Sequence, residues 1–95
     1  MSQVVVPLES YLNQTSGESL RNQVREILSG HPGPGELILD FSNTKLVNSI
    51  GVSFLLEIIE AARNGNTGLE FVHVPPDICD LFGLLGISAR VPVKK

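Results

Sequence analysis

The residues of this chain that could do chemistry are few, and they sit at the ends of apolar runs. Ser49 lies in Leu46-Val47-Asn48-Ser49-Ile50-Gly51-Val52, between a strand-like run at 36–41 and a long apolar helical pattern at about 50–64. A hydroxyl at such a junction meets free backbone N–H groups and the positive end of a helix dipole. It also lies at the end of an α/β sheet where ligands and partners bind. Two chemistries are open to it: a hydrolase nucleophile, or a phosphoryl acceptor. The nucleophile reading is the weaker, because Asn48-Ser49-Ile50-Gly51 lacks the flanking glycines of GxSxG and no histidine follows a recognisable acid. Asp40 and Asp77 read better as a strand-end loop organiser and a first-turn helix carboxylate. Ser49 can also serve as a plain N-cap, a role Asn48 fills as well, and capping is compatible with phosphorylation.

Elsewhere the chemistry thins out. His31 falls in His31-Pro32-Gly33-Pro34-Gly35, a connector with neither helix nor strand potential, and reads as an exposed loop residue. His73 reads as a rim histidine. Neither has a second His, Cys or carboxylate at metal-ligand spacing, so no metal is expected. Cys79, the one cysteine, forms no internal disulfide, which suits a reducing cytoplasm, and reads as a small core or boundary residue. The fingerprints GxxxxGKS/T and GxGxxG after a strand are absent, and Gly33-Pro34-Gly35 precedes a strand rather than a helix; no cofactor is expected. The net charge is −3 and the basic residues are scattered, so nucleic-acid binding is not expected. Met1-Ser2-Gln3 lacks a basic n-region, and no apolar run approaches the roughly 18 residues of a membrane span. A cytoplasmic protein is expected, reaching a membrane only through a partner.

Positioning these residues falls to an alternating βα pattern in a single domain, 1–95. Hydrophobic residues make up 42% of the chain with four Phe, one Tyr and no Trp, which predicts a core of Val, Ile and Leu. The first strand spans 4–12, and Pro7, which cannot donate to a ladder, marks it as an edge. A polar turn at 13–16 opens a helix that runs to about Ser29. Its capping box has Thr15 as N-cap and Glu18 reaching back, with Ser16 as the alternative cap. Leu20, Val24, Ile27 and Leu28 form its apolar stripe, and Gly30 its C-cap. The run at 36–41 is apolar on both faces, as in a central parallel strand. Leu46-Val47 tucks back toward the core. The second helix carries Val52, Phe54, Leu55, Leu56, Ile58, Ile59, Ala61 and Ala62, so it must be well buried or have a flank covered by a partner. Gly65 ends it in the left-handed conformation. A third strand at 69–74 leads to a third helix from Pro75-Pro76-Asp77, with Ile78, Leu81, Phe82 and Leu85 as its stripe and Gly86 as its stop. Val91-Pro92-Val93 is a short last strand. The order βαβαβαβ with right-handed crossovers gives a small, mainly parallel sheet with helices on one face.

With the order fixed, LILDFSNTKLVNSIGVSFLLEIIEAAR resembles the central part of STAS domains of the anti-sigma-factor antagonist type. These show an apolar strand ending in Asp-Leu-Ser, a loop, then Asp-Ser-Ser-Gly or Asp-Ser-Thr-Gly opening an apolar helix. His73-Val74-Pro75-Pro76 with Leu81-Phe82 and Leu84-Leu85-Gly86-Ile87 also fits, as does Val6-Pro7-Leu8-Glu9-Ser10-Tyr11-Leu12-Asn13. The resemblance covers nearly the whole chain and implies a bacterial, non-enzymatic signalling module with a βα-superhelix fold. It implies phosphorylation of Ser49 by a partner kinase of the GHKL ATPase type that is itself an anti-sigma factor. The unphosphorylated form would bind that partner and release sigma factor for transcription. The sequence departs from the pattern at Asn48, where the family has an acid, and at Ile50, where it has a small hydroxyl residue. The family's first strand and last helix are missing from the pattern, so a homodimer or an obligate partner is expected more readily than a free monomer.

A docking surface is therefore expected from three loops at one sheet edge: Asn13 to Thr15, Thr44 to Ser49, and His73 to Pro75-Pro76. The first helical turn, Ile50, Gly51, Val52 and Ser53, joins it, with Gly51 admitting a partner backbone. The alternatives are a STAS subunit without a phospho-switch, in a signalling assembly or a lipid ABC transporter, and a small-molecule or nucleotide binder.

Overall fold

The computed structural model describes residues 2–30 and 32–95; His31 lies outside them. The elements run β1 (Gln3–Pro7), β2 (Tyr11–Leu12), α1 (Gln14–Leu28), β3 (Glu36–Asp40), β4 (Leu46–Val47), α2 (Ser49–Asn64), β5 (Gly68–Val72), α3 (Pro76–Leu84) and a 3-10 turn (Ile87–Ala89). β1, β3 and β5 form a parallel sheet in that order. β3 is the central strand that its apolar run predicts, and β1 lies at the edge that Pro7 predicts.

Register explains which side of the sheet is covered. Val6, Leu37, Leu39 and Phe71 are buried, and Val4 and Leu69 pack against them. The alternate positions Val5, Ile38 and Glu70 lie side by side in a row on the other face, where Val5 is exposed. Successive crossovers move one strand along the sheet in the same direction. Right-handed connections therefore place α1 and α2 together on the covered face, where they pack against each other. Gly17 permits their closeness: a Cβ there would run into the ring of Phe54.

The first predicted strand is two strands. β1 stops at Pro7, although Leu8 still donates to the Asp40 carbonyl at 2.9 Å. The chain then leaves the sheet, and β2 pairs in parallel with β4, Tyr11 opposite Leu46 and Leu12 opposite Val47. The in-out alternation continues through both ladders, so nothing in the sequence marks the change of partner.

Other boundaries also differ. α1 begins at Gln14, not in the predicted Thr15 or Ser16 cap. Asn13 is the N-cap, its Oδ1 accepting from the Ser16 amide at 3.1 Å, while Ser16 Oγ accepts from the Asn13 amide at 2.9 Å. An amide side chain reaches the third helical N–H as well as a hydroxyl does. The C-cap is Ser29, one residue before Gly30. Gly65 caps α2 at φ −88, and the left-handed residue is Asn66. β5 ends at Val72 because His73 is left-handed, φ 55. The last predicted strand reduces to a single bridge between Val93 and Phe71, since Pro92 has no N–H to extend a ladder.

The core is less purely aliphatic than its composition predicts. Phe41, Phe71 and Phe82 are fully buried, with ring centroids 5.1 to 5.8 Å apart in tilted and edge-on contacts. They join the ends of β3 and β5 to α3 and so fix where α3 lies. Phe82→Ala should lower the unfolding free energy by about 3–5 kcal/mol in urea titrations, because it removes a ring that nothing nearby can replace.

Candidate functional site

The pairing of β2 with β4 builds the site. The Lys45 and Leu46 amides donate to the Ser10 carbonyl, and the Asn48 amide donates to the Leu12 carbonyl at 3.1 Å. The next residue on each strand is an asparagine, and each asparagine caps the helix that follows. Asn48 Oδ1 accepts from the Gly51 amide at 2.8 Å, as Asn13 does from Ser16. Two helix N-termini thus open side by side from one short parallel ladder, with their dipoles pointing the same way.

Ser49 is the first residue of α2 and is exposed. The cap is made by Asn48, so the serine hydroxyl is not committed to capping. The first-turn amides of Ser49 and Ile50 lack intrahelical acceptors, as at any helix start. Ser49 also helps line a cavity of about 240 Å³ with Val47, Asn48, Val52, Leu81 and Leu85. Most of the large hydrophobic side chains left exposed among the described residues belong to the elements that meet here. Tyr11 and Leu46 are paired across β2 and β4, Ile50 follows Ser49, and Leu84 and Leu85 close α3, with Leu84 87% exposed. The Tyr11 hydroxyl lies 3.5 Å from the Asn48 amide nitrogen. Exposed apolar side chains on the elements that carry an exposed hydroxyl are the make-up of a protein-contact surface.

The predicted site residues divide. Asn13, Asn48, Ser49, Ile50 and Val52 are brought to one end of the molecule by the ladder and the first turn of α2. Thr15 is exposed in the first turn of α1, and Ser53 is exposed with its hydroxyl donating to the Ser49 carbonyl at 3.2 Å. Thr44 is 2% exposed and donates to the Glu9 carbonyl at 3.0 Å; it is a loop pin, and its side chain is not available to a partner. Gly51 is buried, and a Cβ there would fall on the Leu12 carbonyl oxygen. It admits the backbone of β2, not that of a partner, which corrects its reading as an open approach. Pro75 is the half-buried N-cap of α3. The part of α3 that reaches Ser49 is instead its second half. Leu85, assigned to the core stripe, is half exposed. Leu81 and Leu85 read as core from the sequence because they fall on the apolar stripe of α3, and neither Tyr11 nor Leu84 is singled out there. Leu84-Leu85 before the helix-ending Gly86 carried the available signal, since a one-sided helix this short cannot bury both.

Besides a hollow of about 460 Å³ along the start of α1, two further hollows larger than the cavity at Ser49 lie away from it. One, about 470 Å³, runs along α1 and α2 beside Arg21, Arg25 and Glu57. The other, about 380 Å³, lies beside Arg63 and Arg90. Arg21 and Arg25 face Glu57, and Arg90 pairs with Glu60, so these charges already have partners. Among the described residues no cluster of three His, Cys, Asp or Glu side chains is placed to hold a metal ion. Among the described residues no helix is long and apolar enough to cross a membrane. Asp40 accepts from the Ser42 amide at 2.9 Å and Asp77 stands in the first turn of α3, which are the roles their positions predict. Gly51→Ala should lower stability by about 1–3 kcal/mol through overpacking against Leu12. Asn48→Ala should cost about 1 kcal/mol through loss of the cap. Thermal and urea unfolding check both.

Comparison with known proteins agrees with this geometry. The family model described as "Mlab, STAS domain" matches residues 1–92. None of the curated proteins matches the chain. Among solved structures, the STAS domain of a SulP transporter from Vibrio cholerae superposes with a TM-score of 0.84 at 18% identity, covering 99% of this chain and 73% of that one. The Bacillus cell fate determinant SpoIIAA in its phosphorylated form superposes with a TM-score of 0.75 at 14% identity, covering 100% and 86%. The unphosphorylated anti-sigma factor antagonist SpoIIAA gives 0.74 at 14% identity, covering 100% and 81%. At such identities the superpositions establish a shared fold, a small α/β domain built on a parallel sheet. The match along almost the whole sequence establishes more: the chain belongs to the STAS domain family.

Proposed function

We propose that this protein is a non-enzymatic, cytoplasmic docking module that binds a protein partner through the face centred on Ser49, and that phosphorylation of Ser49 releases the partner. The carrying observation is the position of Ser49: exposed, free of the capping role, and at the rim of an apolar cavity lined by Val47, Val52, Leu81 and Leu85. The partner class is a serine kinase of the GHKL ATPase type acting as an anti-sigma factor, so the module antagonises that factor. In the transfer, Ser49 Oγ attacks the γ-phosphorus of the kinase's ATP, ADP leaves, and the hydroxyl proton passes to a base of the kinase.

The physics favours release. A phosphoryl group brings a charge of about −1.5 to −2. In free protein that charge is tolerated, because it stands at a helix N-terminus beside unpaired amides. In the complex the same dianion would sit in an apolar contact and lose its water, which is costly. Affinity falls without any change of fold.

A second reading is a STAS subunit that docks constitutively in a signalling assembly or a lipid ABC transporter. It draws support from Asn48 and Ile50, which replace the acid and the small hydroxyl residue of the resembled motif. Isolation of the chain with its genomic-neighbour partner, followed by intact mass with ATP, separates the two. The switch predicts one added phosphate, lost in Ser49→Ala, and at least roughly a hundredfold weaker partner binding for Ser49→Asp, about 2.7 kcal/mol. Unmodified mass and unchanged binding by Ser49→Asp would give the constitutive reading instead.

A further inference from the structure

The outer stripe of α3 names a chemistry for what docks. Ile78 and Phe82 face the core, and the exposed or half-buried positions Asp77, Asp80, Leu81, Leu84 and Leu85 recur at i, i+3, i+4, i+7 and i+8, which is one face of a helix. The stripe is acidic at its start and apolar at its end, where Leu81 and Leu85 enter the cavity shared with Ser49. Asp77 and Asp80 belong to none of the ion pairs found among the described residues, which join Arg21 and Arg25 to Glu57, Arg90 to Glu60, and Lys94 to Glu70.

From this we infer that the groove between α3 and the first turn of α2 receives a basic amphipathic helix of a partner protein. An apolar side chain of that helix fills the cavity beside Ser49, and its Lys or Arg residues lie one to two turns away against Asp77 and Asp80. The proposal rests on the docking reading and adds the shape and charge of the partner segment. Charge complementarity selects this occupant. A second copy of the chain would bring an identical stripe. Packed antiparallel, it would press carboxylates onto leucines, a burial without compensation. Packed parallel, it would set carboxylates against carboxylates. The cavity, about 240 Å³, is the size for one or two aliphatic side chains and too small for a folded loop.

A cationic Leu/Lys amphipathic helical peptide about 18 residues long and its Leu/Glu counterpart, each titrated into the isotope-labelled chain by NMR, test this. The expected shifts centre on Val47, Val52, Leu81, Leu84 and Leu85, with the Leu/Glu peptide at least roughly tenfold weaker. Leu85→Ser should weaken the cationic peptide by roughly tenfold. Asp77→Asn with Asp80→Asn should remove most of its salt dependence. All three positions are exposed, so circular dichroism should stay unchanged. Equal binding of both peptides, shifts that fall elsewhere, or a monomer–dimer equilibrium broken by Leu84→Ser with Leu85→Ser in the absence of peptide would overturn the proposal. The two readings fail separately. Ser49→Asp that blocks the native partner while the peptides show no preference removes the basic helix and leaves the docking face. Groove binding that Ser49→Asp does not weaken supports the helix and removes the switch.

Discussion

The Leu12 carbonyl holds the site together from both sides. It accepts the Asn48 amide, which fixes β4 against β2, and it lies where a Cβ on Gly51 would fall, which seats the first turn of α2 on the same backbone. One peptide group therefore sets both the register of the short ladder and the approach of the helix. A slip by one residue would break the Asn48–Leu12 bond and turn the side chains of β4 to the other face. The ladder has only two residues per strand, too few to stand alone. It depends on the buried side chain of Leu12, on the Thr44 hydroxyl bonded to the Glu9 carbonyl, and on the Ser16 hydroxyl bonded to the Tyr11 carbonyl at 2.6 Å.

This arrangement separates rigidity from access. Everything beneath Ser49 is pinned: the cap, the glycine contact, and the packing of α2 along the sheet with Leu55 and Ile58 buried. The hydroxyl above it is exposed. A surface built this way binds with little loss of freedom on its own side, and a modification there acts on the contact instead of on the fold. The same separation accounts for the exposed leucines at the end of α3. The three-ring cluster holds α3 through Phe82, and Gly86, left-handed at φ 76, turns the chain away before Leu84 and Leu85 can be covered.

Much of this was legible in the sequence, and the failures have physical causes. The alternation of strands and helices, the central β3, the edge at Pro7 and the strand-to-helix position of Ser49 follow from apolar periodicity and from proline chemistry. The division of the first strand was not legible, because side-chain alternation is local while the choice of ladder partner is long-range. Gly51 was misread because a glycine that admits a partner and one that admits a neighbouring strand look alike until the Leu12 carbonyl is placed. Asn13 was missed as a cap because Thr15 and Ser16 compete for that role in the sequence. Leu85 reads as inward because hydrophobicity records what a residue prefers, not whether the fold has room for it.

The two departures from the resembled motif also act in a definite physical direction. An aspartate at position 48 could cap α2 as Asn48 does, but it would place a full negative charge beside the Ser49 hydroxyl. With Asn48 the cap is neutral, so the unmodified face near Ser49 has no local carboxylate on α2. Ile50 is 45% exposed and presents an apolar side chain next to Ser49 where the resembled motif has a small hydroxyl. Both changes make the unmodified surface better suited to a dry, apolar contact. Under the proposed switch they would also widen the contrast with a phosphorylated surface, because the added charge would enter neutral surroundings instead of joining an existing anion. In the proposed transfer Asn48 would remove whatever help a carboxylate gives, yet it leaves the dipole and the unpaired amides of Ser49 and Ile50 to receive a phosphate. Within the proposed switch the substitutions would therefore favour docking at this face, and would shift the burden of phosphotransfer from the acceptor to the kinase.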